Sequence, residues 1–420
     1  MKHLKIIFRT FFLLSVTCLA YIQAGAQATL PPEYYDSVKI SLLTCQPHDE
    51  VYSLYGHTAI RYHDLHSNGP DLTFNYGVFD WRKPYFVARF VMGLTDYELG
   101  AYPYDLFLKE YRHFGSMVTE QVINLKPEEK ARLQQLLAIN LLPANKVYRY
   151  NYFYNNCTTK ARDIIEQCID GSVEYAEREG YTPSYRDMVH EMTRNNPWSR
   201  FGNDLLLGIR ADQPTTLRQQ EFLPNNLMHD FDGATILHHG ISRPLVERRS
   251  IVVATGTQLT APGFPLTPLQ CSIILLVLAA AIFLTEWKLR RSFLAWDLLL
   301  MVLTGTVGIV LTLMLFSQHP TVNINLQILL FNPLPWFFLW QVARRRPTRY
   351  WRTNAILSVL FLVGALFQSY AEGIHVVALC LLMQCYLHHR LDTLPANPAQ
   401  NQEKRQSLRS QQRRRDTKII

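Results

Sequence analysis

Charge and cysteine are both scarce in this chain of 420 residues. Asp, Glu, Lys and Arg together make up 18% of it, where an average soluble domain carries roughly a quarter. The shortfall is local. Residues 27–262 read as a soluble domain rich in charge and in Tyr and Phe, whereas 266–388 are dominated by long apolar runs. Of the seven cysteines, Cys18 sits in an N-terminal leader, and Cys271, Cys380 and Cys385 fall in or at the ends of apolar runs. That leaves Cys45, Cys157 and Cys168, an odd number that argues against a disulfide framework and leaves room for one free reactive thiol. There is no Cys-x-x-Cys pair and no His-x-x-x-His helix, so no metal is expected, and no cofactor either. No basic stripe with interleaved aromatics marks a nucleic-acid partner. Much of the net charge of +8 sits in the tail, where EKRQSLRSQQRRRDTK carries seven Lys or Arg against two acids. This reads as a solvated topology signal.

The N-terminus, MKHLKIIFRTFFLLSVTCLAYIQAGAQA, has a basic head, an apolar centre and small residues at its end. Residues 1–26 are expected to be a signal peptide cleaved near Ala24-Gly25-Ala26 or Ala26-Gln27-Ala28. The alternative is a retained anchor, and Ser15-Val16-Thr17 before Cys18 is a poor lipidation signal. After a Pro-rich hinge, apolar runs predict spans at 266–285, 294–316, 326–342, 355–371 and 374–388, the last two short for a core of roughly 30 Å. Loop 286–292 holds Lys288, Arg290 and Arg291, and loop 343–353 holds five arginines. Loops 317–325 and 372–374 hold no Lys or Arg. By the positive-inside rule the large domain is outside and the C-terminus cytoplasmic. The expected division is therefore 1–26 leader, 27–262 exported domain, 263–390 five-helix transmembrane domain and 391–420 basic cytoplasmic tail. In a two-membrane bacterium this is an inner-membrane protein with a periplasmic domain.

Two stretches of the exported domain carry chemistry. Tyr55-Gly56-His57-Thr58-Ala59-Ile60-Arg61-Tyr62 alternates like a strand, and a turn-rich loop separates it from Leu72-Thr73-Phe74-Asn75-Tyr76-Gly77. The pair reads as a β-hairpin with His57 at its open end. Further on, Asn155-Asn156-Cys157-Thr158-Thr159 precedes apolar residues at helical spacing, Ala161, Ile164, Ile165, Cys168 and Ile169. Cys157 then begins a helix, where free N–H groups and the helix dipole stabilise a thiolate and can hold the oxyanion formed when an acyl carbon is attacked. A nearby His would take the thiol proton and later pass it on. Cys45 and Cys168 read as small buried apolar residues. His63 shares a strand face with His57 and is a candidate third member. Asn156 is a supporting candidate. Arg61 binds either a substrate phosphate or a strand neighbour, the second being favoured. His319, in the uncharged outer loop, contacts substrate or the domain, or belongs to an ordinary hydrated loop. Asn332-Pro333 inside the third span is costly in lipid unless buried.

The order of a His strand followed by Asn-Cys at a helix start resembles the circularly permuted papain-like proteins, among them the NlpC/P60-related hydrolases and the lecithin:retinol acyltransferase-like enzymes. The set Gly56-His57-Thr58-Ala59-Ile60-Arg61, Asn75-Tyr76-Gly77-Val78-Phe79-Asp80, Asn155-Asn156-Cys157-Thr158-Thr159 and Phe222-Leu223-Pro224, followed by membrane helices, resembles the Lnb-type lipoprotein N-acyltransferases. That resemblance implies an α+β, permuted papain-like domain with a small antiparallel sheet on the Cys157 helix. It also implies transfer of an acyl chain from a membrane phospholipid to the α-amine of a diacylglyceryl-cysteine lipoprotein. Cys157 and His57 carry over as nucleophile and base. The residue orienting His57 does not, and Asn75 and Asp80 are the candidates. A membrane-anchored cell-wall peptidase or amidase using the same Cys and His, and a noncatalytic scaffold, are the rivals. Residues 211–260 read as an extension that packs the domain on the membrane.

Overall fold

The computed structural model describes residues 30–48, 53–80, 82, 84–178, 180–257, 263–319 and 321–393. The leader, with Cys18, and most of the basic tail lie outside them. The chain divides into two compact units: the exported domain together with Leu313–Asn325, and the remaining apolar helices.

In the exported unit the elements are β1 Val38–Cys45, β2 His57–Asp64, β3 Asp71–Val78, α1 Phe86–Val91, β4 Asp96–Pro103, α2 Tyr104–Phe114, β5 Val118–Ile123, α3 Pro127–Leu141 and β6 Val147–Arg149. There follow α4 Cys157–Cys168, β7 Ser172–Glu174, α5 Tyr185–Met192, α6 Pro197–Leu206, α7 Leu217–Gln220, α8 Pro224–Gly233, β8 Thr235–His238, β9 Ile241–Pro244 and β10 Val246–Val253. Seven antiparallel strands form one sheet in the order β10-β5-β1-β2-β3-β4-β6, and β7, β8 and β9 form a second. Alternation decides the faces. Ile60 and Tyr62 of β2, with Leu72, Phe74 and Tyr76 of β3, point into a core filled by α3, α4 and α8. Ala59 of β2, with Leu43 and Cys45 of β1, points to the opposite face, covered by Phe107, Leu108 and Tyr111 of α2.

Two expectations need correction here. The sheet is not small. The stretch 211–260 is also no appendage: Leu227 and Phe231 of α8 are fully buried in the main core, and β10 pairs with β5 as an edge strand of the large sheet. Polar residues on the outer face of β10 hid its role, as expected for an edge that must stay soluble.

The second unit is helical: α9 Pro268–Leu289, α10 Leu294–Met314, α11 Leu334–Ala343, α12 Tyr350–Gly364 and α13 Ile374–Thr393. Among the described residues four stretches are long and apolar enough to cross a bilayer: Pro268–Leu289, Leu294–Met314, Leu326–Ala343 and Ile374–Thr393. The third is interrupted, a 3-10 turn at Leu326–Leu329 giving way to α11. Asn332 at the break is buried; its amide donates to the Leu329 carbonyl at 3.2 Å and its oxygen accepts the Leu334 N–H at 3.1 Å. Helix α12 has 15 residues, about 22 Å at 1.5 Å per residue. It begins and ends earlier than hydropathy predicted. The Tyr370 hydroxyl donates to the Phe361 carbonyl at 3.0 Å, satisfying one of the last-turn acceptors. Asp297 of α10 accepts from Gln384 at 2.7 Å and pairs with His388 at 3.0 Å, both on α13.

Candidate active site

The loop before α4 builds the nucleophile's position. Asn156 has extended φ/ψ, and its side-chain oxygen accepts the N–H groups of Thr158 and Thr159 at 3.0 and 2.9 Å. Thr159 returns the favour, its hydroxyl accepting the Asn156 N–H at 2.9 Å. The Asn156 amide donates to the Phe222 carbonyl at 2.8 Å and the Tyr152 carbonyl at 3.1 Å. One side chain thus starts the helix and ties it to the Phe222-Leu223-Pro224 segment. The capping also leaves the Cys157 N–H as the first-turn donor with no acceptor among the described residues.

His57, the first residue of β2, hydrogen-bonds the Cys157 thiol. Its Nε2 hydrogen-bonds the Asn75 side-chain oxygen, which leaves Nδ1 for the thiol. Asn75 in turn hydrogen-bonds the Tyr102 hydroxyl. A bulge in the β3–β4 pairing between Asn75 and Val78 brings these groups together. Gly77 within it has φ +97°, a conformation that side chains disfavour, and its bare face lies against Cys157. Beside the couple, the Thr58 and Thr158 hydroxyls meet at 3.1 Å and lock β2 to α4.

The electrostatics follow from this packing. Burial pushes the Cys157 thiol up. The opposing charge and hydrogen bond of His57, the Thr58 backbone N–H and the Thr158 hydroxyl outweigh it and bring the thiol down to about 7. His57 moves the other way. Burial lowers it, but the Cys157 charge, the hydrogen bonds to Cys157 and Asn75, and the Glu110 charge raise it overall. The pair therefore favours thiolate and imidazolium. Cys168 is pushed up to about 12, chiefly by burial, and buried Cys45 is raised as well. Only one of the three thiols in the exported unit is activated.

Four expected residues lie elsewhere. His63, at the far end of β2, is about 20 Å along the strand from His57 and sits against Arg61 at 3.2 Å. Asp80 forms a forked ion pair with Arg82 in the exposed loop after β3. Arg61 spends its guanidinium on Asp71 at 2.7 Å, Glu120 at 2.9 Å and the Tyr104 ring at 3.5 Å. It is a strand ion-pair residue. His319 donates from Nε2 to the Phe90 carbonyl at 3.1 Å, and burial lowers its pKa, which keeps it neutral.

Three residues were not foreseen. The Tyr148 hydroxyl is buried and has no hydrogen-bond partner among the described residues. It lies against the same bare face of Gly77 as Cys157 does. Tyr102 backs Asn75, and Glu110 on α2 supplies negative charge near His57. The alternation Tyr148-x-Tyr150-x-Tyr152 ahead of Cys157 was the available signal for the first.

Comparison with known proteins agrees with this layout. Residues 33–202 match the family model of the Lnb N-terminal periplasmic domain, and residues 260–393 match that of the Lnb transmembrane domain. No curated protein and no solved structure matches the chain. The chain belongs to the Lnb-type family, a membrane protein with an N-terminal periplasmic domain followed by apolar membrane helices.

Proposed function

We propose that the protein is a lipoprotein N-acyltransferase of the bacterial inner membrane, with a permuted papain-like catalytic domain in the periplasm. The observation that carries this reading is the His57–Cys157 couple, the thiol drawn down to about 7 at the start of α4, in a chain anchored where both substrates reside. Five spans, with α12 the short one, would return the basic tail to the cytoplasm.

The chemistry runs in two halves. His57 takes the Cys157 proton, and the thiolate attacks the ester carbonyl carbon of a phospholipid. The resulting oxyanion sits between the Cys157 N–H and the Tyr148 hydroxyl, both without partners among the described residues. As the carbonyl re-forms, the ester C–O bond breaks and His57 returns the proton to the departing lysophospholipid oxygen. The acyl chain is now a Cys157 thioester. In the second half the α-amine of a diacylglyceryl-cysteine attacks the thioester carbon and His57 accepts a proton from the nitrogen. The C–S bond then breaks, leaving an amide and a free thiol. Asn75 holds the imidazole in the required orientation throughout. The reaction needs no metal or cofactor.

Trapping tests this directly. The full chain in vesicles containing a phospholipid with a labelled acyl chain should acquire a hydroxylamine-sensitive label on Cys157, absent in Cys157→Ala. Release of label into lipoprotein N-termini supports the acyltransferase. Digestion of peptidoglycan by the unlabelled protein would instead support the amidase that the same couple can serve.

A further inference from the structure

Helix α6 is built inside out. At 100° per residue, Phe201, Leu205, Trp198, Gly202 and Leu206 form one continuous arc of about 140°, while Ser199, Asn203, Arg200 and Asp204 occupy the other side. In a water-soluble domain the first arc would face the core. Here the polar side faces inward. Asp204 is 2% exposed; it takes the Arg186 guanidinium at 2.7 Å and His190 at 2.8 Å. Asn203 donates to the Tyr55 hydroxyl at 2.9 Å. The apolar arc faces out: Trp198 is 39% exposed, Phe201, Leu205 and Leu206 are half-buried, and a side chain added at Gly202 would meet nothing.

Both ends of α6 are also tied to chain that leads straight into apolar helices. The Trp198 indole N–H donates to the Leu266 carbonyl at 2.8 Å, two residues before α9 begins. The Asn325 amide donates to the Leu205 carbonyl at 2.9 Å, one residue before the third apolar stretch. The Gly208 and Ile209 N–H groups donate to the Thr321 and Ile324 carbonyls at 2.8 and 2.9 Å, and a side chain at Gly208 would collide with that Ile324 carbonyl. Phe264, 63% exposed, stands 5.8 Å from the Trp198 ring. Exposed Arg194 and Arg210 flank the helix, the arrangement that suits anionic headgroups.

We infer that α6 is an interfacial helix, with Trp198, Phe201, Leu205 and Phe264 inserted among the lipids of the outer leaflet. Its inner face reaches, through Asn203 and Tyr55, the turn that delivers His57. Lipid contact on one side of α6 is thereby linked to the segment that carries His57 on the other. The lipid contact itself stands whatever the reaction catalysed.

The test uses the full chain with 5-fluorotryptophan in bilayers of phosphatidylethanolamine and phosphatidylglycerol. The Trp198 fluorine line is assigned by its loss in Trp198→Phe. Independently, it is assigned by its shift in Phe264→Leu, which removes the neighbouring ring and keeps the protein assignable should the first variant fail to fold. A lipid carrying a nitroxide at acyl carbon 5 should broaden this line severalfold relative to the same lipid without the nitroxide. An unchanged line overturns the inference, and means that the apolar arc is covered by protein or open to water.

Discussion

At the scale of single residues the account rests on two unusual protonation states. A thiol with a pKa of about 7 is half ionised at neutral pH, whereas an ordinary one near 9 is almost wholly protonated. Its folded value is depressed, so the thiolate gains on the acid side: alkylation of Cys157 should rise through about pH 7 rather than about pH 9. His57 is raised, so imidazolium persists above its ordinary range and the ion pair is lost only as pH climbs through that value. Removing Asn75 in Asn75→Ala deletes a bond that favours the charged ring. It should move the alkylation midpoint upward and, at about 1.5–3 kcal/mol for a hydrogen bond to a charged group, cut kcat/KM by roughly tenfold to a hundredfold. Tyr148→Phe isolates a different step. Its hydroxyl has no hydrogen-bond partner among the described residues, so stability and the alkylation profile should be unchanged while kcat falls by about 10²-fold. Loss of thiol reactivity in Tyr148→Phe would contradict the oxyanion role.

Elements carry the geometry that residues alone do not specify. The cap is the clearest case: Asn156→Ala removes the acceptor for two first-turn N–H groups and strands the Phe222 carbonyl. A cost of about 1–2 kcal/mol should lower the unfolding temperature by a few degrees, with a larger loss of activity, because Cys157 is the next residue. The helix start at Cys157 and the hairpin with His57 at its open end could be read from the sequence, since both follow from local rules of capping and alternation. Which of Asn75 and Asp80 meets His57 could not be chosen, because the contact with Asn75 sits beside a bulge that depends on pairing with β4. Arg61 was ambiguous for a related reason. Its partners Asp71 and Glu120 lie on separate strands, one of them 59 positions away. Residues 211–260 were misread because β10 and α8 complete a sheet and a core begun almost two hundred residues earlier.

For the whole molecule, the apolar helices and the alternation of basic loops were plain in the sequence, because a bilayer imposes a length and a charge bias that read without tertiary structure. The break at Asn332-Pro333 and a short fourth span could be read as well, but not where these helices begin and end, since buried polar contacts decide that. Orientation has its own test. In intact cells a cysteine at Thr348→Cys should react with an impermeant maleimide only after permeabilisation, and one at Ser317→Cys should react before it. The reverse would invert the topology and remove the periplasmic site.

The central claim is that Cys157 transfers an acyl chain to a lipoprotein amine. A host depleted of its own lipoprotein N-acylation, expressing either the wild type or Cys157→Ser, allows it to be measured by mass spectrometry of lipoprotein N-termini. One added acyl chain with the wild type and none with Cys157→Ser is the predicted result. Stable membrane expression of both proteins with unmodified N-termini in each would contradict the account.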